Sequence, residues 1–153
     1  MVIYLGADHA GYNLKERLKP FLEEIGYEVK DMGAHELDKN DDYPDFVIPV
    51  AKAISENPQV KGIILGGGGQ GEAIAANRFP NVRAMVYYGS TKLQEESKGN
   101  DAIRLGIEHN NSNILSLAAR FLTEEEAKEA VRLWLETSFT EEERHKRRIL
   151  KID

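Results

Sequence analysis

Short runs rich in β-branched residues alternate with longer amphipathic segments along the whole chain. The pattern predicts strands at residues 2–5, 27–31, 62–65, 83–87 and 113–117. Strands that alternate with helices form parallel sheets, because right-handed crossovers join them and place helices on both faces. We therefore predict an α/β fold, a three-layer α/β/α sandwich with a five-stranded parallel sheet. No linker or low-complexity tract divides the sequence, so residues 1–153 are expected to form a single domain.

Helices are predicted between the strands from apolar residues at helical spacing and from signals at the helix ends. The first, residues 13–25, ends before Gly26, and the second begins at Pro44. Thr123 and Glu126 form a capping box that starts a helix at residues 123–135, with Trp134 on its buried face. Further helices are expected at residues 72–77, 90–106 and 140–150, and the last of these is strongly basic.

Charge and cysteine content exclude several classes of function. A net charge of −6 argues against general binding to nucleic acid, whose phosphates attract basic surfaces. The absence of cysteine excludes disulfides, a thiolate nucleophile and cysteine-ligated metals. The N-terminal apolar run lacks a basic leader, and no stretch reaches the roughly 18 apolar residues that a membrane span needs. We expect a cytoplasmic protein that binds neither nucleic acid nor membrane.

Polar residues with chemical potential follow three of the predicted strands. Asp8 and His9 follow the first strand, a glycine run follows the third, and Arg120 follows the fifth. Ligands of open parallel sheets bind beyond the carboxyl ends of the strands. The sequence therefore predicts a ligand site at that edge of the sheet.

The glycine run places five glycines in the six positions from Gly66 to Gly71. Such a run leaves several N–H groups around one concavity, which can bind a phosphate or a developing oxyanion. Its spacing also fits the G-x-G-x-x-G loop of dinucleotide sites, but it follows the third strand, and no acidic residue ends the next one. A phosphate-binding P-loop would need Lys followed by Ser or Thr, and Glu72 stands there instead.

Glu72 follows the glycine run directly. A carboxylate here would repel a phosphate, but it could take a proton from a carbon whose neighbouring oxygen the N–H groups stabilise. The alternative is an acidic residue at a helix N-terminus, which contributes about 0.3–1 kcal/mol to stability. The spacing alone does not decide between these two interpretations.

The remaining polar pairs have simpler explanations when each is taken alone. Asp8-His9 fits a helix cap followed by a surface histidine, and His109-Asn110 fits a polar turn before the fifth strand. The four histidines are scattered, and no pair has metal-ligand spacing, so no metal is expected.

Three arginines, Arg144, Arg147 and Arg148, lie in the predicted C-terminal helix. They form either a solvated helix face or a basic patch that suits the geometry of a phosphate. A terminal helix of this kind can reach its own site or that of a neighbouring subunit.

The ordered set of motifs resembles the type B ribose-5-phosphate isomerases, a family that includes galactose-6-phosphate and allose-6-phosphate isomerases. The resemblance covers essentially the whole chain and rests on these segments: Gly6-Ala-Asp-His-Ala-Gly11, Asp42-Tyr-Pro-Asp45, the glycine run with Glu72, Ala75-Ala-Asn77, His109-Asn110, Arg120 and Arg144-His-Lys-Arg-Arg148. It implies a Rossmann-like fold, a homodimer or homotetramer, and interconversion of aldose and ketose phosphates through an enediol without metal or other cofactor.

The resemblance also implies a role for each matching residue. Glu72 would move the proton between C1 and C2, while the backbone of Gly67, Gly68, Gly69 and Gly71 stabilises the enediolate. His109, assisted by Asp8, would open the sugar ring. Sugar hydroxyls would be bound by Tyr43 and Asn110, and the phosphate by His9, Arg120, Arg144 and Arg148, the last two from a neighbouring subunit through the helix at about residues 140–150.

Three departures from the family pattern bear on chemistry and substrate. Another branch of the family uses cysteine as the base at residue 66, where this chain has Gly66. Residue 68 usually carries a serine or threonine hydroxyl, and here it is Gly68. The segment around residues 98–106 is longer than usual and is expected beside the sugar.

Four functions are thus carried forward. The leading hypothesis is isomerisation of ribose 5-phosphate and ribulose 5-phosphate in the pentose phosphate pathway. The alternatives are an isomerase of a six-carbon or modified sugar phosphate, a nucleotide- or flavin-binding module, and a binding protein without catalysis.

Overall fold

A computed structural model describes residues 1–89 and 101–153 and consists of strands alternating with helices. The five strands are β1 (Val2–Ala7), β2 (Glu28–Asp31), β3 (Lys61–Gly66), β4 (Ala84–Tyr87) and β5 (Ile114–Ala118). The helices are α1 (Tyr12–Glu24), α2 (Pro44–Glu56), α3 (Gln70–Ala76), α4 (Asp101–Glu108), α5 (Glu124–Glu136) and α6 (Glu143–Ile149).

All five strands are parallel, in the order β2-β1-β3-β5-β4. The strand order changes direction between β1 and β3. The chain goes from β1 to β2 at one end of the sheet, and β3 then pairs with the other side of β1. At such a switch point the loops after neighbouring strands diverge and leave a crevice. The register pairs Ala7 with Leu65 and Gly66 with Ala118, so β1, β3 and β5 end at the same edge.

Two apolar clusters fill the space on the two faces of the sheet. On one face, α1, α4 and α5 cover the sheet, and Trp134 of α5 is fully buried there. On the other face, α2 and α3 pack over the sheet through residues such as Val50 and Ile54. The predicted three-layer α/β/α sandwich with a five-stranded parallel sheet is confirmed.

The predicted helix bounds differ from the observed ones by more than one residue in three places. The helix predicted at residues 72–77 begins earlier, at Gln70. The C-terminal helix begins at Glu143 rather than at residue 140, because Thr140 donates both its N–H and its hydroxyl to the carbonyl of Glu108 and Glu141 has a positive φ of 57°. Of the helix predicted at residues 90–106, the first part lies outside the described residues, and α4 occupies Asp101–Glu108.

Within residues 1–89 and 101–153, none of the helices has the length and apolar character that a membrane-spanning segment requires.

The capping box at the start of α5 offers a test of the fold. Thr123 accepts a hydrogen bond from the N–H of Glu126 at 3.2 Å, and Glu126 accepts one from the N–H of Thr123 at 2.8 Å. Thr123→Ala should lower the free energy of unfolding by about 1 kcal/mol, measured by urea denaturation. Thr123→Ser keeps the hydroxyl and should stay near wild type; equal losses in both variants would contradict the capping role.

Candidate active site

The loop after β1 carries Asp8 and His9 to the edge where the strands end. Asp8 is buried, with 7% of its surface exposed, and its Oδ1 accepts hydrogen bonds from the N–H groups of Ala10 at 2.9 Å and Gly11 at 3.1 Å. These bonds fix the carboxylate against the start of α1. The cap that the position of Asp8 in the sequence suggested is wrong, because the N-cap of α1 is Gly11 and no side chain caps that helix. Asp8 instead holds the turn before α1, close enough to Glu72 for their charges to interact.

His9 is held by a residue that the sequence did not single out. Asp41, in the segment between β2 and α2, lies with its Oδ1 2.6 Å from Nδ1 of His9. The same oxygen accepts the backbone N–H of His9 at 3.0 Å. The side chain of Asp41 is 8% exposed and that of His9 is 30% exposed. The imidazole is thus fixed from one side and open on the other.

The loop after β3 makes a cradle of backbone groups. Gly69 has a φ of 72°, in the region that side chains disfavour, and its carbonyl accepts a 2.7 Å hydrogen bond from the hydroxyl of Ser116 on β5. Within the described parts of the chain, the N–H groups of Gly67, Gly68 and Gly69 form no hydrogen bond. These donors are available for an anion or a developing oxyanion.

Glu72 lies under this loop rather than in solvent. Only 5% of the residue is exposed, and its carboxylate occupies the space that a β-carbon on Gly66 would fill. Burial raises the pKa of Glu72, and the negative charge of Asp8 raises it further. A buried carboxylate with a raised pKa beside free N–H donors has the features of a general base next to an oxyanion site.

Tyr43 and Arg120 both lie against the cradle. A β-carbon on Gly71 would stand 3.0 Å from the hydroxyl oxygen of Tyr43, so the phenol lies against the loop. A β-carbon on Gly67 would stand 3.1 Å from Cζ of Arg120, and the N–H of Arg120 donates to the carbonyl of Gly67 at 3.2 Å. One edge of the sheet thus brings together Asp8, His9, Tyr43, the glycine loop with Glu72, and Arg120.

One group of side chains in the described residues has the geometry to hold a metal ion. Ligand atoms of Asp8, His9 and Asp41 lie within 4.8 Å of one another. The sequence-based prediction of no metal considered only the spacing of histidines, so it missed this carboxylate–imidazole group. Two of these three side chains, those of His9 and Asp41, contact each other directly.

The other predicted site residues lie at the opposite edge of the sheet, so within one chain His109 does not lie beside Asp8. His109 and Asn110 follow α4 and precede β5, whereas Glu72 follows the carboxyl end of β3. The register pairs Gly62 with Ile114 and Gly66 with Ala118, so the two edges are separated by the length of the strands, roughly 13 Å. Within one chain, His109 cannot act together with Asp8.

The C-terminal helix joins His109 at that opposite edge. The ring of His145 on α6 stacks on His109, with ring centroids 4.2 Å apart and an angle of 13° between the planes. His145 is 1% exposed, and within the described chain neither of its ring nitrogens has a hydrogen-bond partner. Burial lowers the pKa of His145, as do nearby positive charges.

Arg144 and Arg148 project from α6 into solvent. Arg144 forms a 2.7 Å ion pair with Glu142, and both of these side chains are more than 40% exposed. Arg148 is also exposed. The edge with His109, Asn110, Arg144 and Arg148 is a second cluster of predicted site residues, separate from the cradle of the same chain.

Three supporting residues were missed by sequence reasoning: Asp41, Ser116 and His145. Asp41 precedes the Asp42-Tyr-Pro-Asp45 motif, so attention to the motif's neighbour could have found it. Ser116 was an interior residue of a predicted strand, and its hydroxyl gave no signal of a loop contact. His145 was part of the basic motif, but its inward direction follows from packing that spacing does not reveal.

Comparison with known proteins gives a consistent result. The sequence profile of the ribose/galactose isomerase family matches residues 3–152. Ribose-5-phosphate isomerase B of Mycobacterium tuberculosis is 39% identical over 149 residues, which are 97% of this chain and 86% of that protein.

Solved structures agree with the sequence comparison. Ribose-5-phosphate isomerase B of Mycoplasma genitalium with bound ribulose 5-phosphate has a TM-score of 0.88 and 34% identity, covering 99% of this chain and 93% of that one. The Thermotoga maritima ribose 5-phosphate isomerase has a TM-score of 0.87 and 39% identity, covering 99% and 97%. The chain belongs to the ribose/galactose isomerase family, as a relative of the type B ribose-5-phosphate isomerases.

Proposed function

We propose that this enzyme interconverts ribose 5-phosphate and ribulose 5-phosphate through an enediol, with Glu72 as the base that moves the proton. The observation that carries the proposal is the carboxylate of Glu72, 5% exposed beneath a loop of free N–H donors. A carbon acid next to a carbonyl needs a base for its proton and a donor for its oxygen, and the cradle supplies both.

The proposed reaction begins with the open-chain aldose, whose C1 carbonyl oxygen faces the N–H groups of Gly67, Gly68 and Gly69. Glu72 takes the proton from C2, the electrons of that C–H bond form the C1–C2 double bond, and the carbonyl electrons move onto O1. The N–H groups stabilise this oxyanion. Glu72 then returns the proton to C1 while the O2 proton is transferred to O1, which leaves the ketose and restores the base.

The raised pKa of Glu72 suits this task. An ordinary glutamate is a weak base at neutral pH, and a base is more effective when its pKa lies closer to the working pH. Burial and the charge of Asp8 both raise the pKa of Glu72, and neither requires a metal ion. Catalysis without a metal or other cofactor therefore stays a prediction. A cytoplasmic location is a separate prediction that also stays.

We propose that the complete site forms between two copies of the chain. One copy would supply Asp8, His9, Tyr43, the glycine loop, Glu72 and Arg120, and the second would supply His109, Asn110, Arg144 and Arg148. This arrangement is supported by the position of the two clusters at opposite edges of one sheet. A homodimer or a homotetramer would both satisfy this requirement.

Each residue of the shared site has a proposed role. His109 opens the sugar ring, and Tyr43 and Asn110 bind sugar hydroxyls. His9 and the arginines bind the phosphate, for which guanidinium groups are well suited.

The open space at Gly68 is compatible with a second class of substrate, the six-carbon sugar phosphates. A β-carbon at this residue would meet no atom of residues 1–89 and 101–153 within 4 Å, so this part of the structure leaves room where the family pattern has a serine or threonine. A larger sugar, such as a six-carbon sugar phosphate, could use that room. A nucleotide or flavin is less favoured, because the buried carboxylate of Glu72 would face its phosphates across the same loop.

Glu72→Gln tests the assigned base. The change keeps the shape but removes the basic oxygen, so kcat should fall by at least ~100-fold for both ribose 5-phosphate and a six-carbon aldose phosphate. The wild-type rates on the two sugars identify the preferred substrate. Because burial disfavours the charged form of Glu72, the variant should unfold at no lower temperature than wild type at pH 7.

The control for this substitution is Glu56→Gln, the same change on the exposed end of α2. It should leave kcat unchanged. Wild-type turnover in Glu72→Gln would refute the role of the carboxylate and leave a binding protein or another base as the explanation.

The pH dependence of kcat/KM follows from the direction of the pKa shift. Glu72 must be ionised to act, and its pKa lies above the usual value of 4.5, so the rate should fall as the pH drops through a midpoint above 4.5. Asp8→Asn removes the like charge and should move this midpoint to lower pH, because the ionised form of Glu72 then costs less. An acid limb that does not move would show that another group controls the profile.

Hybrid enzymes test whether two copies share each site. Arg148→Ala should raise KM while kcat changes little, because the phosphate is held equally in the ground and transition states. Mixing Glu72→Gln with Arg148→Ala in equal amounts, after dissociation and reassembly, should restore about one quarter of the wild-type kcat/KM, since half of the dimers then contain one intact site. Activity that stays at the sum of the separate variants would mean that each chain builds its own site.

A further inference from the structure

We propose that Asp41 is a positioning residue that fixes the ring of His9, so that Nε2 of His9 meets the phosphate group of the substrate. The inference rests on the proposed function, which assigns the phosphate to His9. It adds to that site a second residue from the connection between β2 and α2, which also carries Tyr43.

Among the described residues, the side chain of Asp41 forms hydrogen bonds with His9 alone. Its Oδ1 accepts the backbone N–H of His9 at 3.0 Å and lies 2.6 Å from the ring Nδ1. Because one oxygen contacts both the backbone and the ring, the imidazole is fixed relative to its own main chain. The two residues are 32 positions apart, so this contact is not a by-product of a local turn.

The chemistry of the contact determines which ring nitrogen remains available. An ionised carboxylate only accepts hydrogen bonds, so Nδ1 of His9 must carry the proton. Nε2 is then the nitrogen left for a ligand, and the side chain of His9 keeps 30% of its surface exposed. A ring that donates to a carboxylate through one nitrogen and to a phosphate through the other has charge-assisted hydrogen bonds on both sides.

A purely structural role for Asp41 explains the observations less well. The segment that contains it is already tied down at its start, where Ala7 donates to the carbonyl of Gly33 at 2.8 Å and Ala34 donates to the carbonyl of Ala7 at 2.7 Å. Oδ2 of Asp41 is buried, and no group in the described chain donates a hydrogen bond to it. A buried carboxylate oxygen without a partner destabilises the fold, and a neutral amide could anchor the segment equally well.

The first test compares Asp41→Ala with Asp38→Asn, a matched loss of charge on the exposed part of the same segment. Asp38 accepts the N–H of Asn40, and asparagine keeps that acceptor. Asp41→Ala should raise KM for ribulose 5-phosphate about tenfold, the loss of one charge-assisted hydrogen bond, with kcat within about twofold of wild type. Asp38→Asn should leave both constants unchanged. An unchanged KM in Asp41→Ala would overturn the proposal.

A double-mutant cycle separates positioning from anchoring. If Asp41 acts through the ring of His9, Asp41→Ala should raise KM by less than about twofold when His9→Ala is already present. If Asp41 only anchors its segment, the same tenfold loss should appear in both backgrounds, and the proposal is wrong. Wild-type enzyme treated with EDTA should keep its KM. A KM raised by EDTA would mean that Asp8, His9 and Asp41 hold a cation instead.

Nitrogen-15 NMR of the wild-type protein tests the contact without any turnover. At alkaline pH the His9 ring should carry its proton on Nδ1, and titration with inorganic phosphate at lower pH should shift the Nε2 resonance most. A proton on Nε2 alone in the free protein would contradict the proposal even if the enzyme is active. If the wild-type protein lacked isomerase activity, the proposed function would fail, while the NMR result would still decide whether Asp41 orients His9.

Discussion

The carboxylate of Glu72 occupies the space that a side chain on Gly66 would fill, and the proposed chemistry depends on Gly66 leaving that space open. Gly66 ends β3 beside Ala118, so the sheet itself forms one wall of this space. The carboxylate is therefore held out of water beside free N–H groups, where burial raises the pKa of Glu72. A side chain at residue 66, including a cysteine, would displace this base, so the two kinds of base exclude each other sterically.

The parallel sheet also explains why a single chain presents two separate clusters. Groups that follow strands meet at one edge, whereas groups that precede strands meet at the other. Glu72 belongs to the first edge, and His109, stacked on His145, belongs to the second. The reaction that we propose thus carries a geometric requirement: the base from one copy must meet the ring-opening and phosphate-binding groups of another.

Much of the fold and half of the candidate site could be predicted from the sequence, because periodicity and strand-to-helix order determine which residues follow each strand. That order alone places Asp8, Glu72 and Arg120 at one edge. It could not show that Asp41 reaches back across 32 residues to His9, since long-range contacts leave no local periodicity. Nor did motif resemblance reveal the edge to which His109 belongs, because a list of site residues does not state which copy of the chain supplies each one.

The most direct test of the central claim is isomerisation of ribulose 5-phosphate in deuterium oxide, with the position of deuterium in the aldose product measured by NMR. If the buried carboxylate removes the proton from C1 and later returns one to C2, a measurable fraction of the aldose should carry deuterium at C2, and Glu72→Gln should form no such product. An aldose that the Glu72→Gln variant forms at the wild-type rate, with deuterium at C2, would show that another group moves the proton, and it would contradict the account.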